Sequence, residues 1–248
     1  MVKNENLLEK LTMEVKQLAF QAGASLVGVV SADVYDSLPK VWISWKVQDY
    51  SKKAVELMAE SKSIIVLGYH VWDDMLELAV RKGEGWVYPG YSPLEVITRT
   101  VENFLEKLGF KAVSAQGLSY KRLAQLAGFG CYGKNTLIIN PVFGPWIRLA
   151  AVLTDAKLVV DEPFTRDLCV DCEECVKACP VGALSPYKID VNKCLVGVRL
   201  LGKGETKNDE MFRLYEPAFT ENAHLMCLEC QKACRYGRSI HSSLKLRL

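Results

Sequence analysis

The sequence lacks any long apolar run. Among its 248 residues, no segment approaches the roughly 18 uncharged apolar residues that a membrane-spanning helix needs. The N-terminal stretch MVKNENLLEKLTMEVKQ also lacks the apolar core of a signal peptide. These two absences predict a cytoplasmic protein with no membrane partner.

An excess of one charge is missing as well. The chain has 31 basic and 29 acidic residues, which gives a formal net charge of +2. Nucleic-acid-binding domains usually carry a strongly basic face, so this balance gives no electrostatic argument for such a ligand, although a local basic patch is not excluded. Half of the residues are hydrophobic, which argues against a disordered chain.

Cysteine is nearly absent from the first part of the chain. Residues 1–168 contain only Cys131, whereas residues 169–234 contain the other eight cysteines. This change predicts two domains, an α/β body over 1–160 and a cysteine-rich module over 161–248. In a reducing cytoplasm, clustered cysteines indicate metal ligands or redox groups before they indicate disulfides.

The body alternates two hydrophobic patterns. Apolar residues at helical spacing predict helices, and continuous apolar runs of strand length predict buried strands. Helices are predicted in LLEKLTMEVKQLAFQAG, KAVELMAES, PLEVITRTVENFLEKLG and YKRLAQLAG, and strands in ASLVGVVSA, SIIVLGYHV, FKAVSA, TLIINP and WIRLAAVLTDA. The alternation favours a layered α/β or α+β body built around a mixed sheet.

The cysteine module carries an iron–sulfur pattern. Its first four cysteines have the C-x2-C-x2-C-x3-C-P spacing of bacterial ferredoxins, in which the fourth cysteine binds the other cluster. The remaining four repeat the end of this motif after one distant cysteine. The crossover rule therefore assigns Cys169, Cys172, Cys175 and Cys234 to one [4Fe–4S] cluster, and Cys179, Cys194, Cys227 and Cys230 to a second. The alternative, two structural zinc sites, fits poorly because zinc prefers paired C-x2-C knuckles.

The stretch GFGCYGKNT matches two nucleotide-binding patterns. Gly128, Gly130 and Gly133 spell G-x-G-x-x-G. With Lys134 the same stretch also fits the G-x-x-x-x-G-K phosphate loop, although Asn135 replaces the Ser or Thr of that loop. Both motifs follow a strand and open a helix. Here a helix enters and a strand leaves, so the context argues against a nucleotide site and leaves a glycine-rich helix end as one alternative.

The block LAQLAGFGCYGKNTLIINPVFGPWIRLAAVLTDAKL, followed by CVDCEECVKACPVGAL, resembles the epoxyqueuosine reductase family, which is related in turn to the reductive dehalogenases. The resemblance covers most of the chain. It implies a cobalamin-reductase-like body with a ferredoxin-like double-cluster module, in which two [4Fe–4S] clusters deliver electrons to cobalamin. It also implies that the glycine loop contacts the corrinoid. The implied binding residues are Gly128, Gly130, Cys131, Gly133, Lys134, Asn135 and Thr136.

The sequence departs from that family where the reductases carry an acid, the presumed proton donor, followed closely by proline. Ser114 or Ala115 stands at the place of the acid, and Gly117 at that of the proline. The C-terminal helical repeat of some members is also not expected, because few residues follow Cys234. Together with the near-neutral charge, these departures weigh against tRNA and favour a small-molecule substrate.

Other side chains are needed to move protons. Tyr120 and Lys121 lie close to the place of the missing acid and are the predicted catalytic pair, because a neighbouring cation lowers the pKa of a phenol. The tyrosines of GEGWVYPGYSP are alternative donors. His70 is either a cobalt ligand, a proton donor or a hydrogen-bonded residue at a strand end. Cys131 is either a reactive thiol, a cobalt ligand or a small buried residue.

Two hypotheses about function follow. In the first, the chain is a reductase that takes electrons from an external ferredoxin or flavodoxin and acts on a small molecule at a bound corrinoid. In the second, it is an electron-transfer protein that reduces or reactivates a partner, such as a corrinoid protein, and the body is a docking platform. Corrinoid binding by the chain itself separates the two.

Overall fold

The computed structural model of the protein describes residues 2–43, 48–201 and 209–243, with side chains for all of these except 2–5 and 209. Its helices are α1 (Val2–Gln21), α2 (Ala32–Ser37), α3 (Ser92–Lys107), α4 (Tyr120–Leu126), α5 (Glu174–Lys177), α6 (Leu195–Leu201), α7 (Asp209–Tyr215) and α8 (Glu229–Lys232). Its strands are β1 (Leu26–Ser31), β2 (Trp42–Ile43), β3 (Asp49–Tyr50), β4 (Ser63–His70), β5 (Leu78–Lys82), β6 (Gly85–Val87), β7 (Ala112–Ser114), β8 (Cys131–Tyr132), β9 (Ile138–Ile139), β10 (Ile147–Thr154), β11 (Leu184–Ser185), β12 (Lys188–Ile189), β13 (Ala218–Thr220) and β14 (Ala223–Leu225). Within these described ranges, no helix is long and apolar enough to cross a membrane.

Four strands form the central sheet of the body, in the order β1–β4–β10–β7. Helices and strands are combined as expected, but every neighbouring pair in this sheet runs antiparallel, so the prediction of a mixed sheet is wrong. The helix α3 does connect β4 to β7, which point the same way. However, β10 inserts between them and runs against both. An apolar run identifies a buried strand without specifying its neighbours, which is why the sequence pattern does not reveal this order.

Helices cover both faces of the central sheet and give the body three layers. On one face, Ile65 of β4 belongs to a core with Val15 of α1 and Ile97 of α3. On the other face, Ile64 of β4 belongs to a core with Leu123 of α4. All five side chains are completely buried, and each such burial contributes about 2 kcal/mol. Burial on both faces explains why β4 has a continuous apolar run instead of an alternating one.

A second four-stranded sheet, β13–β14–β5–β6, joins the body to the cysteine module. Strands β5 and β6 come from the predicted body, whereas β13 and β14 come from the predicted module. Leu78 pairs with Leu225 across this junction. The boundary at residue 160 therefore separates most of the cysteines from the body but does not separate the packing, and the division into two domains stays a prediction.

The predicted helix KAVELMAES is wrong, because residues 53–61 form turns. The carboxylate of Asp36, near the end of α2, accepts hydrogen bonds from the N–H groups of Ala54 at 2.6 Å and Val55 at 3.0 Å. A single turn follows, in which the N–H of Met58 donates to the carbonyl of Ala54 at 2.9 Å. The side chain of a distant aspartate thus fixes the start of this segment, which helical spacing alone cannot reveal. The helices α1, α3 and α4 lie where they were predicted.

The segment that follows the last cysteine crosses the body at very close range. Gly144 and Gly237 have φ angles of 58° and 79°, in the left-handed region that favours glycine. A Cβ on Gly144 would overlap the carbonyl of Tyr236, and a Cβ on Gly237 would overlap the carbonyl of Phe143. The two backbones therefore touch directly at this crossing.

A buried ionic cluster holds the same tail. The carboxylate of Asp74 is completely buried and lies 2.7 Å from Nε2 of His241 and 3.1 Å from Nζ of Lys232. Nδ1 of His241 lies 2.7 Å from the carbonyl of Val71, and its ring stacks on Trp146 with the centroids 3.4 Å apart. Both ring nitrogens of His241 thus face oxygen atoms, one from Val71 and one from Asp74. Burial alone would raise the pKa of Asp74, but the hydrogen bonds from His241 and Lys232 outweigh burial and lower it.

Candidate iron–sulfur and cofactor site

Two short helices and the loops beside them carry a first group of cysteines. Helix α5 contains Cys175 and follows the turn that holds Cys169 and Cys172, in which the N–H of Cys172 donates to the carbonyl of Cys169 at 2.6 Å. Helix α8 packs against α5 and brings Cys234 to the same place. All four of these cysteines line one cavity. The structure thus brings together the set assigned to the first cluster, which we call the first cysteine group.

The other four cysteines form a second group beside the first. Burial raises the pKa of the Cys230 thiol well above its ordinary value, and the charges of Cys227, Cys194 and Cys179 raise it further. These four residues, the second cysteine group, are the set assigned to the second cluster. Cys175 of the first group also acts on Cys230, so the two groups are neighbours. The assignment of individual cysteines to individual clusters stays a prediction.

The donor atoms of both groups suit iron. Burial raises the pKa of Cys175 to about 11 and that of Cys227 to about 12. Thiols enclosed in this way stay protonated unless cations replace their protons, and the iron of a cluster is such a cation. The N–H of Ala183 also donates to the sulfur of Cys179 at 3.2 Å. In the part of the chain that the structure describes, no three His, Cys, Asp or Glu side chains lie close enough together to bind a single metal ion. A four-iron cluster does not require its ligands to lie that close together.

A buried carboxylate supports the second cysteine group. Glu216 accepts hydrogen bonds from the N–H of Cys227 at 3.2 Å and from Nε of Arg199 at 2.7 Å. Arg199 lies on α6, the helix that follows Cys194, so Glu216 links two parts of this group. Burial raises the pKa of Glu216, and Arg199 partly offsets this effect. Nothing in the sequence pattern marks Glu216, and sequence reasoning missed it.

The glycine loop, residues 128–136, folds as a short hairpin against the module. The N–H of Gly128 donates to the carbonyl of Gln125 at 3.1 Å, and Gly128 has a φ of 78°, so it ends α4 as a glycine cap does. The strand β8 in this loop then pairs with β9. A helix enters the loop and a strand leaves it, as the sequence predicts, but the pairing of β8 with β9 was not foreseen.

The three glycines of this loop are needed for contacts within the chain. A Cβ on Gly130 would overlap the carbonyl of Ile139, and a Cβ on Gly133 would lie 2.6 Å from the Ile139 side chain. A Cβ on Gly128 would lie 2.8 Å from the carbonyl oxygen of Glu162. Packing of the chain on itself therefore accounts for these glycines, without the space for a flat cofactor that we expected. Their contact with a corrinoid stays a prediction.

The polar residues of the loop face the cysteine module. Lys134 is buried, and its Nζ donates to the carbonyl of Val170 at 2.7 Å and lies 3.7 Å from the carboxylate of Glu173. Asn135 lines the cavity of the first cysteine group, and its amide donates to the carbonyl of Cys230 at 3.4 Å. Donors that we expected to face a cofactor thus hold the loops that carry the cysteines.

Cys131 and Thr136 are buried in the same hairpin. Cys131 is 4% exposed, and the N–H of Leu168 donates to its sulfur at 3.4 Å. It packs beside Cys169, which agrees with the alternative of a small buried residue. Thr136 has a φ of 65°, in the left-handed region.

Tyr120 and Lys121 lie at the start of α4, in a cleft. The side chain of Lys121 is exposed to solvent, yet the surrounding protein lowers its pKa to about 8 against an opposing effect of Cys230. Tyr91 is 39% exposed, yet burial raises its pKa to about 12, with a further contribution from Tyr120. We call the surface that Tyr91, Tyr120 and Lys121 share the cleft. Burial also raises the pKa of Tyr120 to about 12, so the expectation that Lys121 lowers this pKa is wrong.

Arg148 completes the wall of this cleft. Its guanidinium lies 5.1 Å from the ring centroid of Tyr91 and pairs with the buried carboxylate of Glu77. Burial lowers the pKa of Arg148 to about 10, which leaves it charged at neutral pH. Sequence reasoning missed this residue, although one arginine inside the apolar strand WIRLAAVLT was a usable signal, because a buried charge requires a partner.

His70 and Ala115, one of the two positions considered for the missing acid, both pack against other parts of the protein. The ring of His70 packs against Phe143 with the centroids 4.7 Å apart, and burial lowers its pKa. Its Nε2 is buried and has no hydrogen-bond partner among the described residues. Ala115 is completely buried, and its N–H donates to the carbonyl of Ala151 at 2.9 Å. If Ala115 stands at the place of the acid, that place is part of the core, whereas the alternative, Ser114, is exposed at the end of β7.

The comparisons with known proteins agree with this geometry. Residues 168–237 match the family described as the 4Fe-4S double cluster binding domain. The epoxyqueuosine reductase of Leadbetterella byssophila is 25% identical over 246 residues, which cover 90% of this chain and 79% of that protein. The one of Listeria monocytogenes is 37% identical over 124 residues, which cover 49% of this chain and 30% of that protein. The chain is related to the epoxyqueuosine reductases. The predicted resemblance and the prediction of iron–sulfur binding are confirmed.

Solved structures extend the likeness to the fold. An epoxyqueuosine reductase from Streptococcus thermophilus superposes with a TM-score of 0.70 at 21% identity, covering 95% of this chain and 68% of that one. The catabolic reductive dehalogenase NpRdhA does so with a TM-score of 0.63 at 20% identity, covering 92% of this chain and 32% of that one. A further epoxyqueuosine reductase, with a TM-score of 0.68, 20% identity and coverage of 94% and 66%, was solved with a modified tRNA stem loop. That complex makes doubtful the expectation, drawn from the missing acid, the absent helical repeat and the near-neutral charge, that tRNA is not a substrate.

Proposed function

We propose that this chain is an iron–sulfur oxidoreductase that passes electrons through two [4Fe–4S] clusters to a corrinoid and a substrate in the cleft beside α4. One observation carries the proposal: the second cysteine group adjoins the cleft. Lys121 of the cleft lies within range of the charge of Cys230, and Cys230 lies within range of Cys175. The first group, the second group and the cleft therefore follow one another in space.

Electrons would enter on the side of the first cysteine group. Cys172 lies at a wide surface concavity that also includes Val170 and Arg235. Val170 is 59% exposed, so a partner protein that docks on this concavity would cover an apolar side chain. The partner that we propose is an external electron donor of the ferredoxin or flavodoxin type.

The cleft offers groups that suit a corrinoid. The phenols of Tyr91 and Tyr120, the ammonium of Lys121 and the guanidinium of Arg148 are hydrogen-bond donors, which match the amide and phosphate acceptors of such a cofactor. A bound corrinoid would supply a cobalt centre able to take up electrons and to reduce a substrate. The donors come from three separate elements, β10, α4 and the turn before α3, so they surround a ligand from different sides.

Tyr120 is the proton donor that we propose. Because its pKa is about 12, its hydroxyl is protonated at neutral pH and has a proton to give. Lys121 has a pKa of about 8 and is therefore present in both forms near neutral pH, which suits it to replace that proton. Tyr91 is the alternative donor, with the same pKa and a more exposed side chain.

Anaerobic reconstitution tests the cluster and corrinoid parts separately. We expect about eight iron atoms in the wild-type chain and about four in Cys175→Ala or Cys230→Ala, because each change removes a ligand of one cluster. Cys131→Ala is the matched control and should keep all eight. Equilibrium dialysis with hydroxocobalamin then measures corrinoid binding, which Arg148→Ala and Tyr91→Ala should weaken about tenfold each, the loss of about 1.4 kcal/mol.

The same experiment separates the two hypotheses. Full iron loading without any corrinoid binding would reject the reductase and favour an electron-transfer protein that serves a partner corrinoid protein. The substrate that we propose is a small molecule. A tRNA stem loop belongs in the same substrate screen, because a related reductase was solved with one.

A further inference from the structure

We propose that residues 232–241 form a strap that closes the cavity of the first cysteine group, and that Asp74 positions this strap by holding both of its ends. The proposal rests on the assignment of that group to a cluster. The strap includes Cys234, the member of the group that comes from the distant part of the chain. It gives a role to the buried ionic cluster around Asp74, which lies outside both cysteine groups and the cleft.

Both ends of the strap meet at one carboxylate of the body. Oδ2 of Asp74 lies 3.1 Å from Nζ of Lys232, and Oδ1 of Asp74 lies 2.7 Å from Nε2 of His241. The side chain of Asp74 is completely buried, and that of His241 is 2% exposed. These two contacts close the strap into a loop. Closing a loop restricts the conformations of the segment inside it, as a disulfide does.

The C-terminal end of the strap is also held at three further points of the body. The ring of His241 stacks on Trp146 with the centroids 3.4 Å apart. The crossing of the two glycine backbones is the second point. Just beyond the strap, the N–H of Ser242 donates to the carbonyl of Trp72 at 2.8 Å. The strap therefore follows a fixed path from α8 to the body.

The middle of the strap lies over the first cysteine group. Arg235 and Tyr236 line the same cavity as the four cysteines. The guanidinium of Arg235 donates to the carbonyl of Leu168 at 3.3 Å, so this exposed side chain extends from the strap to the residue before Cys169. Tyr236 packs in the apolar group that includes Leu168 and Cys169. The strap thus forms one wall of the cavity, with its outer side in solvent.

Release of His241 from Asp74 would loosen this wall. One end of the loop would be open, and Tyr236 would no longer be held over the cavity. Small solutes would then reach the first cluster more often. The second cysteine group has its own support, because Glu216 accepts hydrogen bonds from Arg199 and from the N–H of Cys227. The strap therefore protects one cluster selectively.

Anaerobic release of iron from the reconstituted full-length chain to excess EDTA tests the strap. His241→Phe keeps a ring on Trp146 but loses both nitrogens. It should release about four iron atoms about tenfold faster than the wild type, the effect of about 1.4 kcal/mol. His241→Gln keeps an amide that can donate to Asp74 and should recover part of the slow release. Ser239→Ala, at an exposed position of the same strap, is the matched control and should release iron like the wild type.

The selectivity of the effect separates a strap from a general loosening of the fold. In Cys175→Ala, which should keep only the second cluster, the addition of His241→Phe should leave the release of iron unchanged. Faster release of all eight iron atoms in His241→Phe, or faster release in the Cys175→Ala background, would overturn the proposal. Unchanged release in His241→Phe would overturn it as well.

Hydrogen exchange of the reconstituted chain, followed by mass spectrometry, gives a readout that does not depend on iron release. Amides of residues 235–242 should exchange about tenfold faster in His241→Phe than in the wild type, whereas those of β4 should keep their rates. Equal exchange of the strap in the two chains would reject its positioning by Asp74. A wild-type chain that takes up no iron would reject the cluster assignment together with the proposal, whereas a fully loaded chain with unchanged release rejects the strap alone.

Discussion

Gly130→Ala is expected to push apart the two strands of the glycine-loop hairpin. An added Cβ would overlap the carbonyl oxygen of Ile139, and it would lie 2.7 Å from the carbonyl carbon of Ile139 and 3.0 Å from the nitrogen of Asn140. Ordinary contacts of a Cβ begin at 3.4 Å, so the backbone of β9 has to move by about 0.7 Å to clear the carbonyl carbon and further to clear the closer oxygen. The φ of Gly130 lies outside the left-handed region, so alanine adds no dihedral strain and the effect is one of space alone.

The size of the effect follows from the contacts that such a shift disturbs. Forcing extra atoms into a packed region costs about 1–3 kcal/mol, and each weakened backbone hydrogen bond of the hairpin costs about 1 kcal/mol. We therefore expect Gly130→Ala to lower the free energy of unfolding by about 3 kcal/mol. In a chain of this length, 1 kcal/mol shifts Tm by about 2–4 °C, so Tm should fall by about 6–12 °C.

Thermal unfolding of the reconstituted chain, followed by circular dichroism, measures this shift. Gly85→Ala is the matched control, because its Cβ would meet only the carbonyl of Lys82 at an ordinary 3.7 Å, and its Tm should stay within about 2 °C of the wild-type value. The reasoning is refuted if Gly130→Ala unfolds like the wild type while losing its affinity for hydroxocobalamin. The glycine would then serve a cofactor and not the hairpin.

Two further predictions concern charged groups. Asp74→Asn should cost about 3 kcal/mol at pH 7, because it removes the buried carboxylate that lies between His241 and Lys232. The folded pKa of Asp74 lies below the unfolded value of about 4, so its contribution to the free energy of unfolding is present above that value and is lost as the pH falls through the folded pKa. In urea unfolding, the difference in stability between variant and wild type should therefore be smaller at pH 3 than at pH 7. An equal difference at both pH values would contradict this. Lys121 in the iron-free chain should react with an acylating reagent half-maximally near pH 8, as followed by peptide mass spectrometry, whereas a rise only towards pH 10 would show that burial does not lower its pKa.

Short sequence patterns correctly predicted three helices and the grouping of the first three cysteines, because these features depend on residues close together in the chain. The apolar spacing of α1, α3 and α4 marks the face that each helix buries, and all three helices are present in the structure as predicted. The spacing of the first four cysteines is similarly local, because a tight turn from Cys169 to Cys172 brings successive sulfurs to one side. Joining Cys234 to them required a known motif, since a distant helix supplies it.

Features that depend on distant partners were not predictable in this way. The insertion of β10 between β4 and β7 reverses the expected strand directions, and no residue of β10 encodes its neighbours. The sheet that joins body and module needs strands about 140 residues apart, which short apolar runs do not indicate. The turns that replace KAVELMAES depend on Asp36, and the cleft depends on Arg148, which is meaningful only once Glu77 and Tyr91 lie beside it.

The glycine loop resembles a cofactor-binding motif, but its polar side chains already have hydrogen-bond partners within the protein. Nζ of Lys134 and the amide of Asn135 already donate to the carbonyls of Val170 and Cys230. A cofactor that took either donor would remove one of these hydrogen bonds, at a cost of about 1 kcal/mol each, and would also loosen the loops that hold the cysteines. Contacts with a corrinoid therefore fit better on the side of the cleft, where Arg148 and the tyrosines have room for a ligand. The loop connects to the chemistry by holding the segments that carry the cysteines.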